Sequence, residues 1–89
     1  VGKVVVEIKK STNSNLVNGY TKQLAAYEEA EAASASVYVV VVVSEKNLSD
    51  DDSQLNQLKR LHAEKIRNGE KTPELHIING LVQDSASKL

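Results

Sequence analysis

Val4-Val5-Val6-Glu7-Ile8-Lys9-Lys10 is the stretch on which the reading of this chain turns. β-Branched residues dominate it, and its length suits a single strand. Successive strand side chains point to opposite faces, so Val4, Val6 and Ile8 share one face while Val5, Glu7 and Lys9 share the other. The first face is wholly apolar and is expected to lie against a helix or a core. The second sets a carboxylate and an ammonium side by side. Taken alone, that pair is what many half-wet strands carry on their solvated side, so its meaning depends on the residues that follow.

Ser11-Thr12-Asn13-Ser14-Asn15 is turn chemistry, because short polar side chains compete with the backbone for hydrogen bonds. A helix is expected next, beginning between Leu16 and Gly19 and running to about Ala33. Leu16, Tyr20, Leu24 and Tyr27 recur at helical spacing, with Gln23 beside them. The alanines between Ala25 and Ala35 are small enough to let this helix lie close to a sheet. Val37-Tyr38-Val39-Val40-Val41-Val42-Val43, apolar without alternation, reads as a strand buried on both faces. Strand, helix and strand make a βαβ unit, whose right-handed crossover places the second strand parallel to the first and beside it.

Ser49 reads as an N-cap that opens a second helix, with Asp50, Asp51 and Asp52 in its first turn, where the helix dipole favours carboxylates. That reading is preferred to a metal site built from the three aspartates. Leu55, Leu58, Leu61 and Ile66 supply the buried stripe, and Asn68-Gly69 supplies the stop. Thr72-Pro73 forces an extended entry to a third strand, Glu74 to Ile78. Asn79-Gly80 is a turn signal that could fold Leu81 and Val82 back as a small hairpin, and Ser85 to Leu89 reads as a loose tail. With no internal repeat and no linker, residues 1–89 are expected to form a single domain of α/β class, with a mostly parallel sheet.

The bulk composition narrows the possible functions. Eighty-nine residues suffice for one core, and 26% charged residues with 40% hydrophobic ones set the chain among globular rather than disordered sequences. Without cysteine there is no disulfide and no thiolate chemistry, which suits a reducing cytoplasm. No signal peptide is evident, and the valine run is far shorter than the roughly twenty apolar residues a membrane span requires. The chain has no methionine and is expected to be a piece of a longer protein. Charge is uneven: residues 1–27 carry Lys3, Lys9, Lys10 and Lys22 against Glu7, whereas residues 28–53 are strongly acidic. A basic front of this kind is compatible with a phosphate ligand held locally. His62 and His76 lack the spacing of a zinc site.

Glu7-Ile8-Lys9 on an apolar strand, a polar loop, then Gln23 and Tyr27 in Q-x-x-x-Y spacing on a helix, then a valine strand: this order resembles the PD-(D/E)XK nuclease superfamily. Within it, the closest likeness is to the branch that shares the Q-x-x-x-Y helix with RecB-type nucleases. The resemblance covers about residues 3–44. It implies the βαβαβ portion of a restriction-endonuclease-like fold and metal-dependent hydrolysis of phosphodiester bonds in DNA. It further implies catalytic roles for Glu7, Lys9, Gln23 and Tyr27. Glu7 and the backbone carbonyl of Ile8 would bind Mg²⁺ (or Mn²⁺), and Lys9 would stand beside the attacking water and the scissile phosphate. Gln23 and Tyr27 would orient the site and touch the DNA backbone. Lys10 and Lys22 are nucleic-acid contacts suggested by charge alone.

The family's defining aspartate lies on a strand upstream of E-x-K, and Val1 to Val6 contain no acid. The chain by itself is therefore expected to be inert, its metal site incomplete without an added segment. The same gap would leave residues 1–10 as an exposed edge, which is expected to pair with a second copy or with a missing N-terminal segment. Two further readings remain open: a non-catalytic module that binds nucleic acid or protein, and an unrelated α/β interaction domain. In the latter, Glu7 and Lys9 are a solvated pair and Gln23 and Tyr27 point away from them.

Overall fold

A computed structural model describes residues 3–30 and 34–81. The elements follow as β1 (Val4–Lys10), α1 (Leu16–Glu28), β2 (Ala35–Val42), α2 (Glu45–Ser49), α3 (Gln54–Arg67) and β3 (Glu74–Asn79). The strands form a three-stranded parallel sheet in the order β1-β2-β3, giving an α/β fold with helices packed on the sheet. Glu7 lies beside Tyr38 and Lys9 beside Val40, so these four side chains share one face of the sheet.

That face carries the core. Leu16, Tyr20 and Leu24 from α1 and Leu55 and Leu58 from α3 close over Tyr38, Val40 and Val42 of β2. Both long helices lie on the same side for a topological reason. Right-handed crossovers that step twice in the same direction, β1 to β2 and β2 to β3, place both connecting helices on one face. The opposite face receives none. Val4, Val6 and Ile8 are 71, 54 and 66% exposed, so the expectation that they meet a core is overturned. β2 is likewise buried on one face only: Val37, Val39 and Val41 on the other side are half-buried, and this corrects the reading of a strand covered on both.

α1 approaches the sheet closely at Gly19, where an added Cβ would stand 2.8 Å from the Tyr38 hydroxyl. That hydroxyl donates to the Leu16 carbonyl at 2.6 Å, tying the first turn of α1 to the middle of β2. The Tyr20 ring meets Tyr38 edge-on, with ring centroids 5.7 Å apart, and its hydroxyl lies 2.6 Å from His62 Nδ1 on α3. Burial pushes the Tyr20 hydroxyl up to about 12, with the Glu70 carboxylate adding to the effect, and burial holds His62 below its ordinary value. The phenol thus stays protonated, and the imidazole tautomer sets which of the two groups donates.

Boundaries differ from the sequence reading in physically informative ways. α1 ends at Glu28, and Glu31 to Ala33 lie outside the described residues. The helix start expected at Ser49 is replaced by short α2, a turn at Asp50–Ser53, and α3 beginning at Gln54. Ser53 is the true N-cap: its hydroxyl accepts from the Asn56 N–H at 3.1 Å, and the three aspartates fall in the turn before it. Asp50 Oδ1 accepts from the Asp52 N–H at 2.9 Å, a local bond that favours the turn over a helix. Leu61 packs against the core as expected, whereas Ile66 is exposed and His62 enters the stripe.

The stop at Asn68-Gly69 has the anticipated form. Gly69 takes φ 74°, its N–H bonds the Ile66 carbonyl, and the Glu70 N–H bonds the Lys65 carbonyl. Gly80 extends the β2–β3 ladder by donating to the Val42 carbonyl, and Leu81 is in no strand, so no hairpin forms among the described residues. Val82 and the expected tail Ser85 to Leu89 lie outside them. No helix among the described residues is long and apolar enough to cross a membrane.

Candidate functional site

Alternation along β1 sends Val5, Glu7 and Lys9 to the helix-covered face, where β1 is the outermost strand. Since α1 packs mainly over β2, a groove of about 470 Å³ is left between α1 and β1. Glu7 and Lys9 line it from the strand, and Asn15, Asn18, Gly19, Lys22 and Gln23 line it from the helix side. Lys9 Nζ lies 3.3 Å from Glu7 Oε1, and the lysine is the less exposed partner, 24% against 46%. An added Cβ at Gly19 would stand 3.4 Å from Lys9 Cε, so the missing side chain makes room for the lysine stem. Burial and then the nearby Glu7 carboxylate push the Tyr38 hydroxyl up to about 12, which keeps it a donor to Leu16.

A second cavity of about 270 Å³ continues the groove toward the N-terminal ends of the strands, and Gln23 borders both. Tyr27 belongs to this second part. Its hydroxyl donates to the Ser34 carbonyl at 3.3 Å, and Lys71 Nζ stands 4.2 Å from its ring centroid, a cation–π contact. Gln23 leans onto β2, with Nε2 donating to Ser36 Oγ at 2.6 Å and to the Val37 carbonyl at 3.1 Å. Its Oε1 is buried without a partner among the described residues.

The fold therefore brings Glu7, Lys9, Lys22 and Gln23 around one groove and places Tyr27 in the adjoining one. Lys10 is elsewhere: by strand alternation it lies on the open face with Val6 and Ile8, apart from Lys22 and the groove. The Ile8 carbonyl also leaves the groove. Lys3 accepts from the Ala35 N–H, and the Ser11 N–H donates to the Val41 carbonyl. In a parallel ladder both bonds of a residue go to the same neighbour, so odd residues of β1 face β2. Ile8, an even residue, turns its N–H and C=O off the free edge.

A family described as "Domain of unknown function (DUF8371)" matches residues 1–45, from the first strand through α1 and β2. The chain belongs to that family. No curated protein and no solved structure matches it. The matched part of the DUF8371 domain includes every residue bordering the Glu7–Lys9 groove. Asn15, Asn18 and Gly19 are groove residues that the motif reading missed. A glycine inside an otherwise helical pattern was the available signal, since it costs helix stability unless close approach requires it.

The groove offers the ammonium groups of Lys9 and Lys22 and the side-chain amides of Asn15 and Asn18, a donor set suited to phosphate oxygens, while Gln23 Nε2 is committed to β2. It does not by itself suit a resident Mg²⁺ or Mn²⁺. Glu7 is the only carboxylate among the described lining residues and is paired to Lys9, and no group of three or more His, Cys, Asp or Glu is gathered for an ion among the described residues. Divalent ions of this kind prefer several oxygen ligands.

Proposed function

We propose that this chain supplies the phosphate-facing part of a metal-dependent nuclease domain of the PD-(D/E)XK kind, acting on DNA in the cytoplasm. The observation that carries the reading is the shared groove, in which Glu7 and Lys9 of β1 meet Lys22 and Gln23 of α1. The Lys9 ammonium would hold a phosphate oxygen and offset its charge, Glu7 keeps that ammonium aimed along the groove, and Lys22 adds a second cation at the rim. Tyr27 and Gln23 would meet the sugar–phosphate backbone where the groove continues. The metal would need a further carboxylate from a preceding segment or another chain, so these 89 residues alone are expected to show no cleavage. The test is nicking of supercoiled plasmid in Mg²⁺ or Mn²⁺ by the natural full-length protein. Lys9→Ala is expected to slow it about a hundredfold. Full activity in that variant would remove Lys9 from the site.

A second reading has one observation in its favour. The Glu7–Lys9 ion pair and the two Gln23 Nε2 bonds to β2 form without a ligand, as in a module that binds nucleic acid and does not cut it. Metal-independent, salt-sensitive binding of a fluorescent duplex, with no nicking by the full-length protein, would select this reading.

A further inference from the structure

We propose that β1 is a dimer interface: two copies pair antiparallel through this strand, with Ile8 of each on the two-fold axis. This stands apart from the nuclease reading, because it rests on the free edge and on the order of charges along it. Among the described residues β1 has a neighbour on one side only, and its pairing with β2 runs unbroken from Val4 to Lys10 with neither bulge nor proline. Edges that avoid pairing use bulges, prolines or unbalanced charges; this one is long and regular, and its Lys9 is balanced by Glu7.

The bonding pattern restricts the register. Even residues of β1 direct N–H and C=O outward, so an antiparallel partner must set even residues opposite even residues. Charge then selects among the registers that remain. A two-fold at Val6 sets Lys3 against Lys9 of the other copy, one at Glu7 sets the two glutamates against each other, and one at Lys9 sets the two lysines together. One at Val5 sets Glu7 against Lys3 but overlaps only Val4 to Val6 of the strand, where one at Ile8 overlaps Val6 to Lys10. Only the register centred on Ile8 places Glu7 opposite Lys9 of the second copy and Lys9 opposite its Glu7. It also sets Val6 against the stem of Lys10, and Ile8 against Ile8.

The product is a continuous sheet built from two three-stranded halves, with both helical layers on one side. The two grooves then meet across the junction, with Glu7 and Lys9 from each copy forming a square of alternating charge. The exposed residues Val6 and Ile8 gain neighbours on the open face.

Sedimentation equilibrium of the 89-residue chain up to millimolar protein is expected to show a monomer–dimer equilibrium. Glu7→Lys or Lys9→Glu alone should weaken the dimer about tenfold, since each turns two attractive cross-strand pairs repulsive. The double exchange Glu7→Lys/Lys9→Glu should restore it, with circular dichroism confirming that all three variants fold. Cysteine placement reads the register directly, because the chain has no other thiol. Hydrogen-bonded antiparallel partners lie about 5.5 Å apart at Cα, within disulfide reach, so Ile8→Cys should cross-link on mild oxidation. Val6→Cys should not, its two copies being about 14 Å apart along the strands. A monomer throughout the series, as when another part of the chain covers the edge, would overturn the proposal. So would failure of the double exchange to restore the dimer, or cross-linking of Val6→Cys as efficient as that of Ile8→Cys.

Discussion

Gly19 occupies a position where two ordinary rules oppose each other. Replacing a helical glycine by alanine in open space gains about 1 kcal/mol. Here the new Cβ would stand 2.8 Å from the Tyr38 hydroxyl, whose bond to Leu16 anchors α1. Overpacking costs about 1–3 kcal/mol, and displacing that buried bond adds about 1 kcal/mol or more, so the clash wins. Gly19→Ala is therefore expected to lower unfolding stability by about 1–3 kcal/mol in urea titration. His62 makes a second residue-scale prediction. Its folded-state pKa lies below the ordinary 6.5, so the unfolded chain takes up the proton first. Stability from this site is complete above about pH 6.5 and falls as acid is added, because unfolding then binds protons. Melting temperature should drop between pH 6.5 and 5 in the wild type and drop less in His62→Gln. A flat profile in the wild type would show that the imidazole titrates freely.

At the scale of elements, the entry to α3 separates a good sequence signal from the correct one. Ser49 and Ser53 both look like caps, and the aspartates between them strengthen the wrong choice. Ser53 wins because its hydroxyl both accepts from Asn56 and donates to the Asn47 carbonyl at 2.7 Å, joining α3 to short α2. Ser53→Ala should cost about 1 kcal/mol, while Ser49→Ala should change stability by less than about 0.5 kcal/mol. Equal losses would contradict the observed cap. β1, β2, β3 and the Gly69 stop were legible because each depends on neighbours in sequence: β-branched runs, a proline entry, a glycine at positive φ. Leu55 and Leu58 were legible from their spacing alone. The bond between Tyr20 and His62 was not, since it joins residues on different helices through a core whose geometry no local pattern encodes.

For the molecule as a whole, one-sided coverage of the sheet is the governing fact. Val40→Ala, under the helices, should destabilise by about 2 kcal/mol, and Val39→Ala, on the open face, by less than about 1 kcal/mol. Comparable losses would mean that the open face is covered in solution. The sequence by itself determined that Glu7 and Lys9 stand on one face of a strand, that a helix follows, and that a parallel strand comes next. Those are consequences of backbone periodicity and crossover handedness, and they set Glu7 and Lys9 side by side but leave open whether Lys22 and Gln23 of α1 join them. Which face the helices would cover was decided only in three dimensions. With valine on both sides of β2 and an apolar row on β1, side-chain pattern favoured the Val4, Val6 and Ile8 face, whereas in the fold α1 and α3 both lie on the side that carries Glu7 and Lys9, two same-direction crossovers keeping them together.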